Sequence, residues 1–210
     1  MKRRYMLGVV VGLVVITAAA SLGWIMSQVE QAKYTVLEFH NTFEIRDYAP
    51  MIVAEVDVTG KREDAIKQGF RIIADYIFGD NTPTEKVAMS APVTQTKSDK
   101  IAMTAPVIQQ GDGTSWKVRF VMPAAYQIDT LPKPNNDAIK LKEVPGKRFS
   151  VIRFSGLASN ENLQEREKEL RAFIKERNLK PLSLAIYAFY NPPWTLPFLR
   201  RNEVMIEVPK

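Results

Sequence analysis

The sequence predicts an antiparallel α+β domain built from two copies of a β-α-β-β pattern and preceded by an apolar N-terminal segment. Several short stretches alternate apolar and polar residues with period two, and two longer ones show helical spacing. Two of the predicted strands end in a glycine, Gly60 and Gly156, 96 residues apart. Each copy has one helix for three strands, whereas a doubly wound parallel sheet alternates strands with helices. The pattern therefore favours an antiparallel sheet.

The N-terminal segment has the composition of a membrane anchor. Residues 2–4 are basic, and the run from Tyr5 to Met26 contains 22 uncharged residues, which would extend about 33 Å as a helix. This pattern predicts a transmembrane signal anchor at 1–30 and an exported domain at 31–210, periplasmic or extracellular. The alternative is a signal peptide cleaved after Ala20, with the domain secreted, because small residues precede that position.

Two predicted strands, one that starts near residue 34 and one at 43–48, precede the first β-α-β-β copy. The copy comprises a strand at 51–58, a helix at 63–78, and strands near 101–108 and at 116–122. In the helix, Ile66, Phe70 and Ile73 are spaced four and three residues apart, which places them on one inward face. Gly79 is expected to end this helix.

The second copy has the same order of elements. It comprises a strand at 149–154, a helix at 160–177, and strands at 183–190 and 203–208. Leu163, Leu170 and Phe173 form the expected inward face of its helix. The proline-rich stretch 131–136 is the predicted connector between the two copies.

Composition excludes most acid–base and metal enzymes. The chain has no Cys, and His40 is its single histidine, which rules out thiol nucleophiles, Cys-ligated metals and multi-His sites. The net charge is +6, but no Lys/Arg cluster is interleaved with stacking aromatics, so nucleic-acid binding is not predicted. A binding protein is therefore favoured over an enzyme.

A short repeat lies inside the first copy. Residues 86–93 (KVAMSAPV) recur as 100–107 (KIAMTAPV). Pro92 and Pro106 remove a backbone donor, so both copies are predicted to be extended edge segments. Their methionines are interpreted either as buried side chains or as the lining of an adaptable apolar groove.

Three segments resemble the SOUL haem-binding family. They are Phe43–Pro50 (FEIRDYAP), Met103–Val107 (MTAPV) and Tyr190–Val204 (YNPPWTLPFLRRNEV). The resemblance covers roughly Tyr34 to Val208. It implies a twisted, eight-stranded antiparallel sheet or open barrel flanked by two helices, a fold shared with the effector-binding domains of bacterial regulators. It also implies tetrapyrrole binding without catalysis, with haem as the expected cofactor.

The resemblance also implies where haem binds. In family members the proposed haem groove follows the first helix, which places Lys67 at the basic position, Phe70 and Ala74 at apolar positions, and Arg71 as a second cation. An apolar slot with cations at its mouth suits a macrocycle that carries two carboxylates. The alternative is that Lys67 and Arg71 form an ordinary solvated helix face and that Phe70 is a core residue.

An axial iron ligand is not evident. Some animal members carry a histidine within the first motif, at the position of Asp47, and a carboxylate is a poor haem-iron ligand. His40 precedes this position by seven residues, in a predicted polar turn. Family members bind haem without a strong protein ligand as well, so haem binding does not require one here.

Two function classes follow. The first is a membrane-anchored, non-enzymatic haem or tetrapyrrole binder that carries or buffers its ligand. The second is a sensor or scavenger domain for hydrophobic small molecules, for which haem is incidental; its support is the shared fold, which carries little functional weight alone.

Overall fold

The computed structural model describes residues 29–84 and 98–210. Its helices are α1 (Arg62–Phe78) and α2 (Asn160–Glu176). Its strands are β1 (Tyr34–His40), β2 (Phe43–Tyr48), β3 (Met51–Thr59), β4 (Asn81–Thr82), β5 (Val107–Gly111), β6 (Ser115–Val121), β7 (Lys133–Pro134), β8 (Lys140–Val144), β9 (Arg148–Phe154), β10 (Ile186–Phe189) and β11 (Asn202–Val208).

Two predicted features fall outside the described residues. They are the apolar run from Tyr5 to Met26 and the first copy of the short repeat, residues 86–93. Within 29–84 and 98–210, neither helix has the length and apolar character needed to cross a membrane.

One antiparallel sheet contains nine of the strands, in the order β1-β2-β9-β11-β10-β5-β6-β3-β8, and β4 pairs with β7 separately. The α+β class, the antiparallel sheet and the two helices are confirmed, but the expectation of eight strands is wrong by one. The additional strand is β8, whose sequence Lys-Leu-Lys-Glu-Val is too charged to show apolar alternation. Charged residues are typical of an edge strand, because they discourage pairing with other chains.

The two β-α-β-β copies exchange a strand within this sheet. β3, β6 and β5 lie in the same relative order as β9, β11 and β10, and the copies meet where β5 pairs with β10. However, β2, which precedes the first copy, pairs with β9, whereas β8, which precedes the second copy, pairs with β3. Each half therefore supplies an outer strand to the other, which ties the halves into one unit.

Both helices pack on the same face of the sheet, α1 over β3 and β6 and α2 over β9 and β11. Ile73 and Ile77 of α1 and Leu163 and Leu170 of α2 lie in the main core. As predicted, Gly79 ends α1, with φ +124, a conformation that favours glycine.

The segment 101–108 is extended along only part of the predicted range. Its first residues form no ladder with a neighbouring strand: the Ile101 amide donates to the Ile77 carbonyl of α1 at 2.9 Å, and Thr104 reaches the Val121 carbonyl of β6 through its side-chain hydroxyl. Pro106 has no amide to donate. For these reasons β5 begins only at Val107.

Candidate functional site

The outward face of α1 carries an apolar surface. The helix lies very close to β6, because a Cβ added to Gly69 would be 2.6 Å from the Val118 Cβ. That contact fixes which residues point away from the sheet. Phe70 is 38% exposed and Phe78 is 58% exposed. We call the surface formed by Lys67, Phe70, Arg71, Ala74 and Phe78 the α1 face.

The predicted residues are brought together on this face, but they differ in exposure. Lys67 and Arg71 are exposed, whereas Ala74 is only 7% exposed and forms a floor between Phe70 and Phe78. Phe70 is not the inward residue that its spacing predicts. Its ring packs beside Phe120, with the centroids 5.2 Å apart, and leaves its outer edge to solvent.

Phe78 was not anticipated as a site residue. It lies one turn beyond Ala74 and two turns beyond Phe70, so the three residues form a line about 12 Å long on the helix. The spacing of four residues between them was the available signal, since side chains at i and i+4 lie one above the other.

The two cations of the α1 face are available to an anion. Of the carboxylates in 29–84 and 98–210, none lies within 4.0 Å of the Lys67 or Arg71 head group. Both side chains are exposed, on successive turns of the helix. Two adjacent cations beside an exposed aromatic line fit a flat ligand that carries two carboxylates, as haem does.

The structure gives His40 and Asp47 other contacts. His40 ends β1, six strands away from β6 in the sheet order, and its Nε2 contacts the Arg177 guanidinium. Asp47 accepts two hydrogen bonds of 2.8 Å from Arg148, and these bonds lower the pKa of its carboxyl. Neither side chain reaches the α1 face.

A separate cleft of about 550 Å³ lies at one end of the sheet. Its walls are mainly apolar and come from five places: the chain before β1, the β2–β3 turn with the start of β3, Thr104 before β5, the end of β6 with the segment after it, and the end of β8. Representative lining residues are Met51, Met122, Pro123, Tyr126 and Val144. The exposed ionisable residues in the lining are Glu30, Lys33 and Glu143. With two carboxylates and one ammonium, the cleft matches a dianionic ligand less well than the α1 face does.

The sheet face opposite the helices contains a buried ionic network of Arg46, Glu44, Glu203 and Arg201. Arg46 donates to Glu203 at 2.9 and 3.1 Å and to Glu44 at 2.7 Å, and Arg201 donates to Glu203 at 2.9 Å. Burial opposes ionisation of Glu203, but the two guanidinium groups outweigh it and lower the pKa of this carboxyl. The sequence did not reveal the network, because Arg46 and Glu203 are 157 residues apart.

Comparison with known proteins identifies a matching protein family. A family model described as SOUL heme-binding protein matches residues 29–207. Heme-binding protein 2 from Homo sapiens is 27% identical over 172 residues, which cover 79% of this chain and 77% of the human protein.

Solved structures share the fold at low sequence identity. The C-terminal domain of EcmrR aligns with a TM-score of 0.58 at 10% identity, over 84% of this chain and 98% of that domain. A hydrolase from Listeria innocua aligns with a TM-score of 0.52 at 13% identity, over 82% of this chain and 94% of the hydrolase. Identities this low relate the folds, not the functions.

Proposed function

Because the chain belongs to the SOUL heme-binding protein family, we propose that it binds haem or a related tetrapyrrole on the α1 face, as a carrier or buffer and not as an enzyme. The observation that carries this proposal is the pairing of exposed Phe70 and Phe78 with two cations that form no ion pair with a described carboxylate. The porphyrin plane would cover the two rings, and its propionates would pair with Lys67 and Arg71. Bound haem would supply the iron; the protein's part is to hold the macrocycle.

Titration with haemin tests the proposal. The full chain in detergent micelles is expected to give a saturable Soret change that empty micelles lack. The double variant Phe78→Ser/Lys67→Ala should weaken it, whereas Leu184→Ser, which removes an exposed apolar residue elsewhere, should not. A Soret change that never saturates, or one that both variants leave intact, contradicts the assignment.

The non-enzymatic part of the proposal has a separate test. Within 29–84 and 98–210, no carboxylate lies within 4.0 Å of the Lys67 or Arg71 head group, and His40 lies six strands from β6, so no acid–base pair is assembled at these cations. Incubation with haem and a reductant should therefore return haem unchanged. A ring-opened product at a rate above that of protein-free haem would indicate an enzyme.

We propose further that residues 1–30 anchor the protein in a membrane and that the domain faces the periplasm or cell exterior. The support is the basic start and the uncharged run from Tyr5 to Met26. An anchored chain stays in the membrane pellet after carbonate extraction, with an intact N-terminus. A mature chain that starts at Ser21 would instead indicate signal cleavage and secretion.

The cleft favours a second function, the binding of hydrophobic small molecules with haem incidental. Its volume of about 550 Å³ and its apolar walls suit an amphiphile. A thermal-shift panel separates the two functions. Three results together would favour the binding of hydrophobic small molecules. Many amphiphiles raise the melting temperature, haemin raises it no more than they do, and Ala49→Trp, which fills the cleft, abolishes the effect.

A further inference from the structure

The loop between β10 and β11 presents an exposed apolar surface that the proposed ligand sites do not use. Trp194 is 56% exposed, Phe198 is 70% exposed and Leu199 is 47% exposed. Leu157 is also exposed, and the adjacent Gly156 amide donates to the Pro197 carbonyl at 2.9 Å. We call Leu157, Trp194, Phe198 and Leu199 the apolar tip. Contiguous exposed apolar residues of this kind typically mark an interaction surface.

The tip is held in place by the polar groups of its own loop. The Arg200 guanidinium donates to the carbonyls of Thr195, at 2.7 Å, and of Pro193. The Arg201 amide donates to the Asn191 side chain at 2.6 Å. Because these hydrogen bonds join residues of the same loop, they hold its backbone, and the apolar side chains are displayed on a preorganised surface. Binding to such a surface costs little conformational entropy.

The tip lies next to the point where the N-terminal chain enters the domain. Arg201, at the base of the loop, donates to the Gln31 side chain at 3.0 Å and to the Tyr34 hydroxyl at 3.2 Å. Gln31 follows Met26, the end of the uncharged run, by five residues, which span at most about 18 Å. Phe198 precedes Arg201 by only three residues. The described start of the chain and the tip therefore meet at Arg201, and the length of chain between Gln31 and the uncharged run is short.

The entering chain is fixed to the domain. The Ala105 amide donates to the Glu30 carbonyl at 2.9 Å, and the Ala49 amide donates to the Lys33 carbonyl at 3.0 Å. The Ala124 amide donates to the Glu30 carboxylate at 2.9 Å. An anchor that ends in such a docked segment would orient the domain relative to the bilayer, which a loose linker would not do.

We propose that the apolar tip inserts into the headgroup region of the same bilayer that holds the N-terminal anchor. This inference rests on the anchor proposed above. Tryptophan, phenylalanine and leucine are the side chains that favour the membrane interface. With the tip inserted, the domain has two attachment points and a fixed orientation on the membrane.

The absence of cysteine from the chain allows single-site labelling. The full chain is reconstituted into phosphatidylcholine/phosphatidylglycerol vesicles with an NBD fluorophore on one introduced cysteine. Phe198→Cys reports on the tip. Leu184→Cys is the matched control, because Leu184 is also an exposed apolar residue but precedes the opposite end of β10. Val14→Cys, in the middle of the uncharged run, reports on the anchor.

Lipids that carry a doxyl quencher near the headgroup then measure insertion. We expect emission from position 198 to fall about twofold or more while position 184 stays at background. Quenching at 198 no greater than at 184 overturns the proposal. If Val14→Cys is quenched by deep doxyl lipids in the same sample, the anchor survives that failure.

Two further outcomes are informative. A blue shift at position 198 without doxyl quenching indicates a protein surface, such as a second copy of the chain, and also overturns the proposal. Quenching at position 198 with none at position 14 supports insertion of the tip and contradicts the proposed N-terminal anchor.

Discussion

The two halves of the sheet follow the same path, yet their helices present different outer faces. On α2, Arg166 pairs with Glu169 at 2.8 Å and Arg171 pairs with Glu167 at 2.7 Å, and no large apolar residue of this helix is exposed. On α1, Phe70 and Phe78 are exposed and no described carboxylate reaches the cations beside them. Since α2 also has exposed lysines, such as Lys168, the feature that distinguishes α1 is its exposed aromatic line.

On the sheet face away from the helices, the two halves differ in how deeply their charged residues are buried. In the second half, Arg46 and Glu203 are completely buried in the ionic network. In the first half, Glu55 is buried, but its partners Lys117 and Lys142 are close to half exposed. The second half thus keeps the centre of its charge network out of contact with water, whereas in the first half the lysine head groups that pair with Glu55 remain in contact with solvent.

The largest effect is expected from a substitution that breaks the ionic network of the second half. Glu203→Gln leaves the buried guanidinium of Arg46 and the partly buried guanidinium of Arg201 with one carboxylate fewer, which should lower the free energy of unfolding by about 3–5 kcal/mol. Urea denaturation followed by circular dichroism measures it. A loss under about 1 kcal/mol would mean that water replaces the carboxylate and that the network is not closed to solvent.

The second effect concerns the close packing of α1. Gly69→Ala would place a methyl group 2.6 Å from Val118 atoms, so the helix or the strand must shift, at a cost of about 1–3 kcal/mol. Elsewhere in a helix, the same substitution would stabilise by about 1 kcal/mol. The double variant Gly69→Ala/Val118→Ala should cost less than the sum of the single changes, and strict additivity would argue against the clash.

The third effect tests the α1 face as a ligand site. Phe70→Ala removes apolar contact area, which should raise the haemin Kd about tenfold. Because Phe70 also packs on Phe120, the free energy of unfolding must be measured on the same sample. Phe78→Ser, at a more exposed position, should weaken haemin binding without loss of stability.

His40→Ala is the matched control for iron ligation. His40 lies six strands from β6, so the variant should leave the haemin Kd and the Soret position unchanged. A shifted Soret band would place the haem site at the β1–β2 turn and not on α1.

The fourth effect is a pH dependence in the first half. Burial opposes ionisation of Glu55, but hydrogen bonds from Lys142 and Arg119 outweigh it and lower the pKa of this carboxyl to about 2. A lowered folded-state pKa contributes stability that is complete above the ordinary pKa, near 4.5, and is lost as the pH falls toward 2.

Glu55→Gln removes that contribution. The variant should be less stable than the wild type at pH 7, by less than about 2 kcal/mol because the partner cations are solvated. The gap should narrow between pH 5 and pH 2 in thermal or urea unfolding. A gap that is constant over this range would show that the carboxylate charge is not the stabilising feature.

The smallest effect concerns the cations of the α1 face. Lys67→Ala should weaken haemin binding less than about fivefold, because an exposed ion pair contributes about 0–1 kcal/mol. It should also flatten the salt dependence of Kd, since screening acts on this pair. Lys168→Ala, an exposed lysine of α2, should change neither quantity. Equal effects of the two variants would mean that only net charge matters.

The sequence by itself determined the local elements, their repetition and the family. Alternation and helical spacing placed both helices and most strands within a few residues, because these periods reflect which side of an element is apolar. The motifs around Phe43, Met103 and Tyr190 indicated the family that the matched family model supports, and they directed attention to α1 with Lys67, Phe70, Arg71 and Ala74.

Only the tertiary structure decided how these elements pair and which side chains stay exposed. Apolar alternation does not name a partner strand, since backbone hydrogen bonds are the same for any pair; the exchange of β2 and β8 between halves was therefore not predictable. Likewise, the spacing of Phe70 predicts a core residue. In the structure Gly69 is the residue that faces Val118, and the neighbouring Phe70 ring stays partly exposed. The ionic network and the cleft join segments far apart in sequence, and no local pattern encodes such contacts.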